Sequence, residues 1–304
     1  MVKFKSLFDR SGLSLDRLRS YALIAEAGGL SKAAGGEPAK MSLFSKQMRE
    51  LEGFFGTRLT CRRGKVVMLT DAGRQLAQVA HLALHGLEDF QNSCKAEPDT
   101  LHIAASNSVL EWLLLPRVAA VRKLLPNTRF ELRAGRTREL ESRLTDMTLD
   151  LALLREDAIS PPLKAKRVFT MTYSLFTPSG FVLPAREKGL KGSLAAMPLA
   201  TSTGGQFREH LEQSAAKAGW SLNLELSCSS FTQAAQAVHS GAYAAVLPTI
   251  AAAQFAGAKV SQMQLPFLKA YARPICLAWN PRLTAMRPAV TRAANALEKT
   301  LKSA

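Results

Sequence analysis

Ser42, Ser45, Lys46 and Arg49 share a segment with Phe44, Met48, Leu51 and Phe55, and both sets recur at steps of about three and four. On a helix that spacing gives one apolar face and one face of hydroxyls and cations. Arginine and lysine reach phosphates or the guanine edge, and serine hydroxyls donate to either phosphates or bases. A merely solvated face is the alternative. Ser31 and Lys40 extend the polar set upstream. Met41 offers only apolar contact, for example to a thymine methyl. A second cationic group, Arg62, Arg63 and Lys65, brackets Gly64, as at a turn tip whose charges rest on a phosphate backbone or in a minor groove. A plain exposed turn is the alternative there.

A different chemistry recurs further along. Ser106, Asn107 and Ser108 follow an apolar strand pattern and precede a helical one, as do Thr201, Ser202 and Thr203. Ser230 and Thr232 flank the start of another helix. Hydroxyls and free N–H groups at helix starts suit a carboxylate or similar anion; simple capping is the competing role. Arg155, after a buried strand, could face the same cleft, but a surface salt bridge is its expected role. His81 and His85 are four apart without an evident third ligand, so they read as ordinary helix histidines. No GxSxG, Walker or HExxH motif occurs, and no Cys/His/Asp set suggests nucleophilic work. The reading is therefore not an enzyme, with no cofactor and no metal.

These groups need elements to hold them. Leu15, Leu18, Tyr21, Ala22 and Ala25 form a helical stripe that Gly28-Gly29 stops. Ser31 opens a second helix, which Gly35-Gly36-Glu37-Pro38 breaks. A third runs over about 42–55. Two short strands around the basic turn follow, as a wing. From 71 to about 94 no proline occurs, and Leu76, Ala80, Ala83, Leu87 and Phe90 step as a coiled-coil seam, which suits pairing of two chains. Glu97-Pro98-Asp99 ends that helix. Beyond it strand and helix patterns alternate, with strands expected at 101–105, 129–133, 149–154, 168–176, 199–202, 222–227, 244–247, 260–265 and 274–279. Helices are expected between them, one of them carrying Trp112, Leu115, Val118 and Val121, and one amphipathic helix over 284–301 closes the chain. Alternation of this kind means a largely parallel α/β fold. Two similar halves suggest two lobes around a cleft.

The formal net charge is +16, which favours polyanionic partners. Residues 1–75 hold 14 Lys/Arg against 7 Asp/Glu, whereas the other 229 hold 26 against 17. The front quarter is therefore more than twice as basic per residue. Hydrophobic residues make up 47%, enough for a full core. No apolar run is long enough to span a membrane, and the charged start does not read as a secretory signal. Four scattered cysteines fit a reducing cytoplasm.

In order and spacing, the front residues resemble the LysR-type transcriptional regulators. Ala25-Glu26-Ala27-Gly28-Gly29-Leu30-Ser31-Lys32-Ala33-Ala34 is similar to the family's AEEGSFTRAA. Ser45-Lys46-Gln47-Met48-Arg49-Glu50-Leu51-Glu52 is similar to SRQIRRLE, and Leu69-Thr70-Asp71-Ala72-Gly73 to LTEAG. The customary Ser-Gln-Pro entering the recognition helix is here Lys40-Met41-Ser42. Taken together, the residues and the resemblance imply an α+β multidomain chain. It has a winged helix-turn-helix over 1–70, a linker and dimerisation helix over 71–97, and a bilobed periplasmic-binding-protein-like α/β effector domain over 98–304. Lobe I is expected at about 98–165 and 268–304, lobe II at about 166–267. The implied function is regulation of transcription through double-stranded DNA, modulated by a small anionic effector, as a homodimer or homotetramer. The alternative is a small-molecule binding module whose front end is degenerate and binds no DNA, motivated by Gly35-Gly36, Pro38 and Met41.

Overall fold

A computed structural model describes residues 7, 9–63, 66–181, 187–202 and 206–302. Helix α1 (Leu15–Ala27) starts where the Ser14 hydroxyl accepts from the Arg17 N–H, and it ends at Gly28, whose φ of 70° is left-handed. A single turn, α2 (Leu30–Ala33), follows, then α3 (Pro38–Phe55). The sequence places the start of α3 near residue 42, after a break; the helix in fact begins four residues earlier. Pro38 sits in its first turn, where a missing N–H costs nothing and a φ near −65° is already helical. Lys40, Met41 and Ser42 are thus helical residues. The apolar faces also differ in detail. Phe54, not Phe55, is buried with Phe44 and Leu51, and on α1 Ile24 packs inward while Leu15 is exposed.

Strands β1 (Thr60–Arg63) and β2 (Val66–Leu69) pair antiparallel, Thr60 opposite Leu69, as the expected wing. Glu52 of α3 fastens it, its Oε1 accepting from the N–H groups of Leu59 (2.9 Å) and Thr60 (3.3 Å). Helix α4 (Asp71–Lys95) is capped by the Thr70 hydroxyl, which accepts from the Gly73 N–H. Gly73 is required by contact: a Cβ there would lie 2.0 Å from the Leu59 carbonyl oxygen and 2.7 Å from the Tyr21 hydroxyl.

The expected seam on α4 divides. Ala80 is buried within the chain, and Leu76 packs on the core of Tyr21, Leu51 and Leu59. Leu87 (49% exposed) and Phe90 (68%) face outward, joined by Val79. The outward stripe is therefore Val79, Ala83, Leu87 and Phe90, turned away from the head.

Beyond α4 lie two five-stranded sheets. The first has the order β4 (Thr128–Ala134), β3 (Asp99–Ala105), β5 (Leu151–Arg155), β12 (Arg273–Trp279), β6 (Lys164–Met171). The second has the order β11 (Val260–Met263), β7 (Tyr173–Pro178), β10 (Ala244–Pro248), β8 (Leu199–Ser202), β9 (Leu224–Cys228). In each sheet one strand runs against its neighbours, β12 in the first and β7 in the second. Each is the first strand the chain forms after crossing between lobes. The single strand expected at 168–176 is really two, β6 and β7, in different sheets. The crossing is at Thr172, so lobe I extends past the expected boundary at 165.

Two helical regions also depart from expectation. After β3 the chain forms a turn of α-helix, widens into a π-helix at Leu110–Leu114, tightens to 3-10 at Leu115–Arg117, and resumes as α5 (Val118–Leu124). The wide turn re-aims the face, so Leu115 is exposed while Trp112 enters the core of lobe II. The closing helix expected over 284–301 is split. Arg287, held extended before Pro288, separates Pro281–Met286 from Pro288–Lys302. Helices Thr137–Thr145 (α6), Gln206–Lys217 and Phe231–His239 complete the frame used below.

Candidate nucleic-acid interface and ligand cleft

The outer face of α3 presents Lys40, Ser42, Lys46 and Arg49 to solvent, with Ser45 half-buried among them. Arg49 Nε donates to the Ser45 carbonyl one turn back, at 3.3 Å. Among the described residues no acidic side chain pairs with Lys40, Lys46 or Arg49. Neighbouring cations differ: Arg17 Nε lies 2.5 Å from Glu50, and Arg58 lies 3.5 Å from Glu52. Ser31 is exposed on α2. Met41 is half-buried against Ile24, Ala34 and Phe44, so it packs within the head instead of standing on the polar face. Arg62 and Arg63 end β1, at the expected tip; Lys65 lies outside the described residues.

In the back half, the first hydroxyl loop is built without capping. Ser106 makes no side-chain cap bond, and its Oγ lies 3.4 Å from Ser108 Oγ. Asn107 is exposed and Ser108 buried. Thr201 and Ser202 are the last residues of β8, both buried, and the Thr201 hydroxyl has no hydrogen-bond partner. Thr203 lies outside the described residues. Ser230 does cap, accepting from the Gln233 N–H at 3.2 Å, and its Oγ meets Thr232 Oγ1 at 2.8 Å. The helix it opens, Phe231–His239, packs on β8 and also touches Asn107–Val109. It is the element that brings the three hydroxyl groups into one region between the lobes. Trp112 Nε1 of lobe I adds a bond of 2.8 Å to Gln254 Oε1 of lobe II.

A cavity of about 490 Å³ lies beside the crossing strands, lined by Arg155, Gln206, His210, Gln213, Tyr271 and Arg273 among others. Arg155 does more than the expected surface pairing: Nη1 donates across the lobes to Gln206 Oε1 at 3.0 Å, while Nε lies 3.4 Å from Asp157. His210 stacks on Tyr271 with centroids 3.7 Å apart, and the Arg273 guanidinium lies over the same ring at 5.1 Å. Burial, and then Arg273, lower the His210 pKa. The hydroxyl loops do not line this cavity.

A third cluster was not legible in the sequence. Arg287, 2% exposed, donates to both carboxylate oxygens of Asp89 on α4 (2.7 and 2.9 Å), to Asp150 before β5, and to the Thr100 carbonyl (3.2 Å). Asp150 Oδ2 also accepts from the His102 N–H at 2.8 Å. Burial pushes the Asp150 carboxyl up, but the His102 bond and the Arg287 charge outweigh it and hold the group below its ordinary value. The Asp150 bond raises His102. His85 and His81, one turn apart on α4, are both lowered, chiefly by burial, His81 to about 4. No three or more of the described His, Cys, Asp and Glu residues are placed to hold a metal ion.

Residues 15–74 match the family model of bacterial regulatory helix-turn-helix proteins, lysR family, and residues 95–302 match the LysR substrate binding domain. The chain belongs to the LysR family. As a LysR-family protein it is a transcriptional regulator that couples a helix-turn-helix head to an effector-binding domain. A probable hydrogen peroxide-inducible genes activator of Mycobacterium xenopi is 26% identical over 179 residues, 58% of this chain and 95% of the relative. A full-length OxyR variant from Pseudomonas aeruginosa has a TM-score of 0.63 at 16% identity, over 96% of each chain. CbnR, solved with its target DNA, has a TM-score of 0.58 at 18% identity, over 95% of this chain and all of that one. These structural likenesses concern the fold.

Proposed function

We propose that Lys40, Ser42, Lys46 and Arg49 on α3 read the major groove of double-stranded DNA, with Ser45 and Ser31 on phosphates and Arg62, Arg63 and Lys65 of the wing against the adjacent backbone. The observation that carries this is the row of unpaired cations on an exposed helix face, beside neighbours that are paired. Unpaired charge costs little in water and is free to replace counterions on phosphate. The rival reading of a degenerate head drew on Pro38 and Met41. Pro38 suits the first helical turn and Met41 fills the head's own core, so neither residue counts against DNA binding. Two copies joined through the outward stripe of α4 would set two recognition helices on successive major-groove faces, roughly 34 Å apart. Fluorescence anisotropy on the DNA upstream of the gene tests the reading. We expect tight, salt-dependent binding that Arg49→Ala weakens about 5- to 150-fold, the equivalent of roughly 1–3 kcal/mol.

The effector is a small organic anion held between the lobes. Supporting this are the unpartnered Thr201 hydroxyl, the uncapped Ser106 and Ser108 pair, and the Arg155 and Arg273 cations at the crossing strands. Peroxide sensing, suggested by the names of the relatives, is less well supported. Cys228 on β9 and Cys276 on β12 lie in separate sheets, and burial raises both thiols, against the thiolate that oxidation needs. Among the described residues no helix is long and apolar enough to cross a membrane; a cytoplasmic location fits the DNA-binding role. Calorimetric titration with small carboxylates, in wild type and Thr201→Val, tests the assignment. Unchanged affinity in the variant would remove Thr201 from the site.

A further inference from the structure

A second cavity, of about 610 Å³, lies where the head meets lobe I. Its walls come from four elements: the end of α1, wing strand β2, helix α4 and helix α6. Ile24, Met68, Leu69 and Ala77 make an apolar side. Facing them, α6 contributes Ser142 and Asp146, hydrogen-bonded to each other at 3.3 Å. Arg143 Nη2 of α6 bonds Glu26 of α1 at 3.3 Å, and Gln78 of α4 bonds the Thr145 carbonyl at 3.2 Å. These two bonds join head, linker helix and lobe around the cavity.

His81 lines the same space. It is 8% exposed, and its Nε2 has no hydrogen-bond partner. Buried polar atoms in folded proteins are nearly always paired, and one left open on a cavity wall is a place where a ligand atom gains a bond without displacing a protein one. The flanking charges are already matched, Arg143 by Glu26 and Arg74 by Asp71. A charged ligand would have to break such a pair; a neutral one would not. The volume lies within the range of ordinary small-molecule sites.

We propose that this junction is a second ligand site, distinct from the inter-lobe cleft, that takes a small uncharged molecule with an apolar body and one hydroxyl. The hydroxyl follows from the imidazole. With its pKa lowered to about 4, His81 is neutral near pH 7, and a neutral ring nitrogen either accepts or donates depending on tautomer. A hydroxyl serves both cases. A molecule there touches the head, the linker helix and lobe I at once, so its occupancy fixes the angle at which the head leaves the effector module.

The test uses 2-naphthol, neutral at pH 7 and fluorescent with an emission that changes on leaving water, titrated into the full chain. We expect saturable binding. His81→Phe, which keeps the ring and removes the nitrogen, should weaken it about tenfold. Ser142→Trp, a substitution of an exposed residue that fills the cavity from the lobe side without entering the head's core, should abolish it. Thr201→Val, in the cleft, should leave it unchanged. Absence of saturable binding to the wild type overturns the proposal. So does binding indifferent to both junction variants, and so does binding lost only in Thr201→Val, which would locate the probe in the cleft while leaving the cleft assignment standing.

Discussion

The recognition helix and the joint at Arg287 use charge in opposite ways. On α3, Lys40, Lys46 and Arg49 stand in solvent with no acidic partner among the described residues, so their charge is available to something outside the chain. At the joint, Arg287 is buried and saturated by Asp89, Asp150 and the Thr100 carbonyl. The first arrangement contributes almost nothing to folding and suits binding. The second binds nothing and fastens α4 to lobe I. A regulator of this kind needs both: a head that gives its charge away, and a stiff joint through which a change between the lobes can reach that head.

The largest expected effect is at the joint. Arg287→Leu leaves Asp89 and Asp150 facing each other without their cation, which should cost about 3–5 kcal/mol. Denaturant unfolding of the full chain reads it, beside Arg49→Ala, which should leave stability unchanged. A loss under about 1 kcal/mol for Arg287→Leu would mean that the network does not hold the two elements together. The outward stripe comes next. Glu at both Leu87 and Phe90 would bury like charges in a dimer seam and separate the chains. Sedimentation should then give monomers at micromolar concentration where the wild type is dimeric or larger; a monomeric wild type would refute the pairing.

The neighbouring histidines give a pH test. His81 titrates at about 4 in the folded chain against 6.5 as its ordinary value. Below pH 6.5 the unfolded chain takes up that proton first, so stability falls as pH drops from 6.5 toward 4. The amount is on the order of 2 kcal/mol between pH 7 and pH 5. His85 acts in the same direction. His102, raised by Asp150, acts in the opposite one: its contribution is present below its unfolded pKa and is lost as pH rises. The difference between wild type and His81→Phe isolates the His81 share, which should appear as a shallower acid loss in the variant. Parallel curves would contradict it.

The smallest effects separate capping from ligand binding. Ser230→Ala removes a cap and should cost about 1 kcal/mol. Thr201→Val removes a hydroxyl with no partner and should melt no lower than wild type. Equal losses would return Thr201 to a structural role.

What the sequence made legible was local. The head's helices, the wing, the Thr70 cap and the closeness that Gly73 permits all lie within one or two turns of the residues that signal them. The two hydroxyl loops were legible for the same reason, since a strand end and a helix start are neighbours in sequence. The joint was not: Asp89, Asp150 and Arg287 span 198 positions between first and last, and each alone reads as an ordinary surface charge. The crossing at Thr172 was hidden because β6 and β7 are both apolar and only one residue separates them, so periodicity merges them. The start of α3 was missed because Pro38 was weighed as a breaker, when its place in the first turn makes it a helix starter. The π-turn at Leu110–Leu114 has no composition signal, and it moved Trp112 into the other lobe.

DNA affinity of the intact protein, measured by anisotropy on its upstream region across a salt series, tests the central claim most directly. The account predicts binding whose affinity falls steeply with salt. It further predicts a variant carrying Lys46→Ala and Arg49→Ala that binds at least tenfold more weakly, with a shallower salt slope and an unchanged melting temperature. Affinity and slope identical to wild type in that variant, with the fold intact, would contradict it.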